Sequence, residues 1–373
     1  MSAGGAPGGA VRRPEEVTPA WLTGVLAGSD LLADGDEVTS LTTAPVGTGQ
    51  MADTVRIAFR TGAGHAGTRS VVAKFASADE RSRTTGVMTR AYEVEVGFYR
   101  QVAGQIGTRL PRCHHTALEP DTGWFVVVLE DIADGVQGEQ LDGCTPEVAE
   151  AALVELAALH GATWADPAVA GLPWLQRGGP AADRFLTDLV TPLWPGFVDR
   201  YGDRLAADHL ALCDRFVAGL GPWLAGRPEA TAVVHGDFRL DNLLFRPGDP
   251  RPYVVDWQTA AWGAPAADVG YLLGGSLLAE DRRRHADRLL GVYHRALIDH
   301  GVAGYGLGRL TEDVRRLCFS GLLLSIGAAM LVKRTERGDE LFVTSVERYA
   351  QQALDLGADT LLEPAGRRGT ALA

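Results

Sequence analysis

Apolar residues along this 373-residue chain recur in two rhythms. Up to about residue 131 they fall in short, β-branched runs separated by Gly-containing turns, and from Thr145 onward they fall on long helical stripes. The spacing predicts a first helix at TPAWLTGVLAG, where Thr18 can cap, Pro19 suits the first turn, and Trp21, Leu22 and Val25 share a face. The segments EVTSLTTAPVG and TVRIAFR, separated by GTGQMAD, predict a strand, a turn and a strand. After a turn at Thr61–Gly67, SVVAKFA predicts a third strand with Lys74 near its end. Thr89–Val102 carries Tyr92, Val96 and Tyr99 at helical spacing, with Phe98 and Val102 broadening the stripe. GWFVVVLEDI, a short continuous apolar run ending in Glu130 and Asp131, predicts a buried strand leaving its sheet.

In the second half, TPEVAEAALVELAALHGATW opens with a Thr-Pro-Glu helix start and carries Val148, Leu153, Leu156, Leu159 and His160 along its length. Further helices are expected around Arg184–Val190, Ala206–Leu220, Glu280–His300, Thr311–Val332 and Glu340–Leu356, with one β-like island at AVVHGDFRLDNLLF and RPYVVDWQ. The pattern predicts an α+β fold of two lobes. Residues 1–16 (MSAGGAPGGAVRRPEE) form a loose tail without the apolar core of a signal peptide, 17–131 a small β-rich lobe, and 132–373 a larger, mainly helical lobe, with a hinge near Glu130–Ile132.

Composition narrows the possibilities. A hydrophobic share of 46% and a charged share of 22% are those of a soluble globular chain, and 373 residues exceed one ordinary core. The formal net charge of −12 lacks the basic footprint of a general nucleic-acid or anionic-membrane binder, so neither is expected as a partner. Four cysteines without a C-x-x-C pair fit a reducing cytoplasm and neither a disulfide framework nor a structural zinc site. Cys113, His114 and His115 are adjacent, cannot all face one ion, and are expected in an ordinary loop. The apolar run Cys318–Val332 is shorter than the roughly 20 residues a bilayer span needs, and predicts a buried helix.

The candidate chemistry sits in VVHGDFRLDNLLF, Val233–Phe245, and YVVDWQ, which carries Asp256. An Asp after His-Gly, an Asn five residues on and a second Asp behind an apolar pair suit phosphoryl transfer, where one Asp aligns a hydroxyl while an Asn and another Asp hold magnesium. Down the chain come a Gly loop between strands, a strand lysine, a helix glutamate, an apolar strand ending at an acidic hinge, His-Gly-Asp-x-x-x-x-Asn, and an Asp on the next strand. Protein kinases use the same order of parts, with His-Arg-Asp and Asp-Phe-Gly where this chain has His-Gly-Asp and Asp-Trp-Gln.

On HGDFRLDNLLF, VVDWQ, AADVGYLL and ALHGATW, the chain resembles the aminoglycoside phosphotransferase and choline kinase group of small-molecule kinases, near its ecdysteroid-kinase-like branch. The resemblance runs from about Val17 to the last helices and implies a protein-kinase-like two-lobe fold. It also implies transfer of the γ-phosphoryl group of ATP or GTP, with Mg2+, to a hydroxyl of a small molecule; acceptors in the group include aminoglycosides, macrolides, choline, homoserine, sugars and sterols. In that frame Asp237 is the expected catalytic base, and Asn242 and Asp256 the expected metal ligands. Lys74 would neutralise the nucleotide phosphates, held by Glu95 or Glu93, with the acid before the aromatic pair in EVGFY favouring Glu95. Thr48, Gly49, Gln50 and Met51 would cover the phosphates, and Glu130, Asp131 and Ile132 would offer backbone groups to the purine edge.

Supporting roles are expected for His235, under the loop, and for Asp268, tying the following segment to the catalytic loop. His160 and Trp164, one helical turn apart, are expected to form a packed core pair, and Asp241 to face solvent or cap its turn. Trp174, Trp194, Phe197 and Tyr201 are candidates for either core or the wall of an acceptor pocket. Two alternatives stay open: a catalytically silent nucleotide- or ligand-binding protein of the same fold, and a protein kinase, which would need the Asp-Phe-Gly and Ala-Pro-Glu elements this chain lacks.

Overall fold

Period-two burial organises the N-terminal part of the chain. In the computed structural model, which describes residues 11–47, 52–62, 68–229 and 231–362, strands β1 (Val38–Pro45), β2 (Ala52–Thr61), β3 (Arg69–Ala76), β4 (Cys113–Glu119) and β5 (Trp124–Glu130) form an antiparallel sheet in the order β1-β2-β3-β5-β4. Val55, Ile57 and Phe59 of β2, Val71, Ala73 and Phe75 of β3 and Val126 and Val128 of β5 point to one face. There they meet Trp21, Leu22, Val25 and Leu26 of helix α1 (Pro19–Leu26), whose Thr18 side chain accepts the Trp21 N–H as expected. The opposite face is covered in part by helix α3 (Ala91–Gln101), whose Tyr92 stacks on Phe125 at 4.3 Å. Cover on both faces is why β5 reads as a continuous apolar run.

Three features of this part differ from the sequence expectation. Cys113–His115 is the start of edge strand β4, half-buried along its length, and not a loop. Burial pushes the Cys113 thiol up to about 12 and holds both imidazoles below their ordinary pKa. Helix α2 (Glu80–Met88) was not foreseen because only Gly86 of its nine residues is buried; its start is instead capped by Asp79, which accepts from Ser82 N–H. The described part of the expected tail is tied down: Pro14–Glu16 is a 3-10 turn, and Arg12 makes a two-pronged ion pair with Glu119 at 3.0 and 2.7 Å.

The chain divides into two compact units. The first is built from the described parts of Met1–Gln105, Leu110–Gly135 and Val255–Thr259; the second from Ile106–Arg109, Val136–Val254 and Ala260–Ala373. Val255–Thr259, expected in the helical part, thus folds with the sheet unit. Trp257 stacks on Phe98 of α3 at 3.8 Å with rings nearly parallel, burying both side chains completely. Aromatic stacking with full burial outweighs sequence proximity.

The second unit is mainly helical among its described residues: α4 (Pro146–Thr163), α5 (Pro167–Ala170), α6 (Pro180–Val190), α7 (Trp194–Tyr201), α8 (Ala207–Ala218), α9 (Leu220–Ala225), α10 (Ala266–Ser276), α11 (Ala279–Asp299), α12 (Leu307–Leu317), α13 (Ser320–Leu331) and α14 (Glu336–Asp355). Two small sheets join them, β10-β9-β6 (Tyr253–Val254, Leu243–Phe245, Val136–Gln137) and β7-β11-β8 (Gln176–Arg177, Ala261–Gly263, Ala232–Val234). Trp174, Trp194, Phe197 and Tyr201 are buried core residues, and the polar tips of two of them are satisfied: Trp194 Nε1 donates to Asp214 and the Tyr201 hydroxyl to Asp339. By length and composition Leu307–Leu331 is apolar enough to cross a membrane, yet a turn at Cys318–Phe319 breaks it into α12 and α13. Phe319 at that break stacks on Phe216, and Leu310, Leu317, Leu322 and Ile326 are buried within the unit, the pattern of core helices.

Glycines allow α10, α13 and α14 to pack closely. A Cβ on Gly321 would lie 2.4 Å from ring carbons of Tyr349, whose ring also lies against Gly274 and Gly275. Overpacking of this kind costs about 1–3 kcal/mol. Gly321→Ala is therefore expected to lower the unfolding midpoint by roughly 2–6 °C in a thermal melt, whereas Gly308→Ala, at a site with nothing within 4 Å, leaves it unchanged or slightly raised. Equal midpoints for the two variants would show that the Tyr349 ring yields.

Candidate active site

In the first unit the candidate residues converge on one ammonium group. Lys74 lies on the face of β3 opposite Val71, Ala73 and Phe75, registered between Thr54 of β2 and Val127 of β5. Its Nζ donates to Glu95 Oε1 at 3.0 Å and to Asp256 Oδ1 at 2.7 Å, with Glu95 Oε2 2.8 Å away. Burial works against the charge on Lys74, but Asp256 and Glu95 more than offset it and raise its pKa above the ordinary lysine value. The ammonium therefore persists across the working pH range. Glu95 is buried on α3, where burial pushes its carboxyl upward against the pull of Lys74. Glu93, about 200° around the helix, turns outward and pairs with Arg90. Asp256 adopts a left-handed backbone with φ 67°, uncommon for a residue with a side chain, and its Oδ2 accepts from Gln258 at 3.3 Å.

The other nucleotide-side candidates separate. Thr48, Gly49, Gln50 and Met51 lie outside the described residues. Asp131, at the end of β5, has its carboxylate taken by Arg56 at 2.7 and 3.0 Å and by the Ser70 hydroxyl at 2.6 Å, so its side chain serves the sheet. Of the backbone groups of Glu130–Ile132 expected for the purine edge, the Glu130 N–H donates to the Arg112 carbonyl, and the Ile132 carbonyl accepts from Gly135 N–H with one of its two lone pairs.

In the second unit the site is a turn held from below by a buried carboxylate. Asp268, in the first turn of α10, accepts the N–H groups of His235 at 2.6 Å and Gly236 at 3.0 Å, and faces His160 Nε2 at 3.2 Å. Burial opposes its ionisation, yet these partners hold its pKa below the ordinary carboxylate value, and a helix N-terminus favours the anion. Gly236 takes φ 82°, which lets the chain reverse between β8 and Asp237. The Asp237 N–H donates to His235 Nδ1 at 3.3 Å, so buried His235 supports the Asp237 backbone.

The Asp237 carboxylate is aimed by three side chains. Its Oδ1 accepts the Tyr271 hydroxyl at 2.7 Å, and its Oδ2 accepts Arg239 Nε at 3.2 Å and Asn242 Nδ2 at 3.1 Å. Asn242 Nδ2 also donates to the Asp237 carbonyl at 2.8 Å. Both amide hydrogens of Asn242 are so committed, which leaves its side-chain oxygen as an acceptor. Asn242 in the second unit and Asp256 in the first each carry a hard side-chain oxygen, and among the described residues no group of three or more His, Cys, Asp or Glu side chains forms a metal cage.

Two sequence expectations in this unit are corrected. Asp241 is buried: it accepts from Gln140 N–H and pairs with Arg239 at 3.0 Å and Arg337 at 3.1 Å, because two cations repay its desolvation. His160 and Trp164 do not pair with each other. His160 joins Asp268 to the Tyr293 hydroxyl at 2.7 Å, and Trp164 packs on Tyr305. Arg239 and Tyr271 escaped the sequence reading as site residues, although signals existed: Arg239 sits between two acids in DFRLD, and Tyr271 follows Asp268 by one helical turn.

The chain belongs to the phosphotransferase enzyme family, whose family model matches residues 58–308. Short stretches are similar to curated proteins: 40% identity over 57 residues with acyl-CoA dehydrogenase family member 11 of Gallus gallus, and 50% over 46 residues with acyl-CoA dehydrogenase family member 10 of Mus musculus. These stretches cover 14% and 12% of this chain and only 7% and 4% of those proteins. Among solved structures, a microcompartment-associated aminopropanol kinase is 15% identical, with a TM-score of 0.53 over 91% of this chain and 98% of that one. An ethanolamine kinase of Plasmodium vivax is 12% identical, with a TM-score of 0.51 over 90% and 87%. The fold is thus the two-lobe fold of small-molecule kinases.

Proposed function

We propose that the protein transfers the γ-phosphoryl group of ATP or GTP to a hydroxyl of a small molecule. The observation that carries this reading is the Lys74 ammonium, held by Glu95 and Asp256 in a chain of the phosphotransferase family. Such a fixed cation serves to neutralise nucleotide phosphate oxygens. Asp237 orients the acceptor hydroxyl and receives its proton as the new oxygen–phosphorus bond forms. The bond from γ-phosphorus to the bridging oxygen breaks, and the nucleoside diphosphate leaves with that electron pair. Asn242 and Asp256 would hold Mg2+, which when bound neutralises the phosphate charge. Asp268, His235 and Gly236 keep the Asp237 turn in place, so little reorganisation accompanies the reaction.

A panel of amino alcohols, sugars, hydroxy acids and aminoglycosides, screened for nucleoside diphosphate release above the acceptor-free rate, tests the proposal. Stimulation by one chemical class supports it; a flat panel with both ATP and GTP contradicts it. Calorimetric titration of nucleotide is expected to show tighter binding with Mg2+ than without, and this difference is expected to vanish in Asp256→Ala. Equal Mg2+ dependence in the variant would remove Asp256 from the metal site.

A further inference from the structure

The hydrogen bonds around Asp237 distinguish its two oxygens. A carboxylate oxygen accepts about two hydrogen bonds in the plane of the group. Oδ2 already has two donors, Arg239 Nε and Asn242 Nδ2, whereas Oδ1 has one among the described residues, the Tyr271 hydroxyl. We propose that Tyr271 is a positioning residue whose hydroxyl fixes Oδ1 of Asp237 as the oxygen that receives the acceptor's proton. The inference rests on the reading of Asp237 as the base, and adds to it a partner from α10 and a choice between oxygens.

Four observations make Tyr271 suited to this. Its side chain is buried, and its ring lies 5.2 Å from that of Tyr349 with an interplanar angle of 31°. The Tyr349 hydroxyl donates to the Tyr271 carbonyl at 3.2 Å, and Tyr349 is itself packed against Gly274, Gly275 and Gly321, so the ring that Tyr271 lies against has little room to swing. Burial, and then the charge of Asp237, push the Tyr271 phenol well above its ordinary pKa, so it stays a donor. Asp268 and Tyr271 lie on successive turns of α10. One helix therefore fixes both the backbone of the turn, through Asp268, and the carboxylate it carries, through Tyr271.

ADP release from MgATP with water as the acceptor gives a probe that needs no knowledge of the natural acceptor. Tyr271→Phe removes only the hydroxyl. Turnover is expected to fall about tenfold, as loss of one charge-assisted hydrogen bond implies, while the calorimetric Kd for MgATP and the melting midpoint stay at their wild-type values. In an Asp237→Asn background the same change is expected to have no further effect, because its target is gone. Tyr349→Phe, which takes a hydroxyl from the same ring pair without touching Asp237, is expected to stay within twofold of wild type. A Tyr271→Phe rate within twofold of wild type, in a protein that Asp237→Asn cripples, overturns the role of Tyr271 alone. An equal loss in both backgrounds, or an equal loss in Tyr349→Phe, also overturns it, since packing would then explain the effect. A silent Asp237→Asn overturns the base and this inference together.

Discussion

Asp237→Asn is expected to lower kcat by at least 10²-fold while nucleotide binding stays intact, the loss typical of a missing acid–base group. The substitution is isosteric. The Asn side chain still offers an oxygen to Arg239 and Asn242, and the turn is held from below by Asp268 and His235, so no unfolding is expected. What disappears is the charge that draws the acceptor proton. Lys74, Glu95 and Asp256 belong to the first unit and are untouched, so the nucleotide Kd should not move. Steady-state kinetics with a stimulating acceptor, alongside calorimetry, separates the two quantities; unchanged turnover would remove Asp237 from the mechanism.

The second large effect is expected at the Lys74 cluster. Lys74→Ala leaves two carboxylates facing each other without their cation, an arrangement that is both destabilising and repulsive to phosphate. Glu95→Gln is the milder test: it keeps the shape but removes half of the charge that holds the ammonium. An order of magnitude or more is expected in nucleotide KM or in kcat. Glu93→Gln breaks only a pair with Arg90 in which both side chains are over 40% exposed, and is expected to be nearly silent. Reversed phenotypes for the two glutamates would contradict the geometry of α3.

Much of the sheet unit was legible because its side chains follow simple periods. Val55, Ile57 and Phe59 alternate as a half-buried strand must, and the run in β5 is continuous because both of its faces are covered. Helix geometry said only that Glu93 and Glu95 cannot face the same way; the choice of Glu95 came from the family resemblance, an acid before the aromatic pair in EVGFY, and the structure sets Glu95 against Lys74. What escaped the sequence was decided by tertiary partners. β4 carries two histidines and a cysteine at an edge, with no apolar alternation to betray it. Helix α2 buries almost nothing, so no stripe exists to be read. The burial of Asp241 depends on Arg337, almost a hundred residues away, and the membership of Val255–Thr259 depends on Trp257 meeting Phe98. The hydroxyl of Tyr271 was invisible as a site group because a tyrosine in AADVGYLL has the profile of a core residue, which by burial it is.

The most direct test is to follow a labelled γ-phosphate. With γ-labelled nucleotide, Mg2+ and the acceptor that most stimulates diphosphate release, the label is predicted to appear covalently on the acceptor in a one-to-one ratio with nucleoside diphosphate. In Asp237→Asn, which still binds nucleotide, the label is predicted to stay on the nucleotide. Label recovered only as inorganic phosphate, or transfer by Asp237→Asn at the wild-type rate, would contradict a kinase that uses Asp237 to pass phosphate to a hydroxyl.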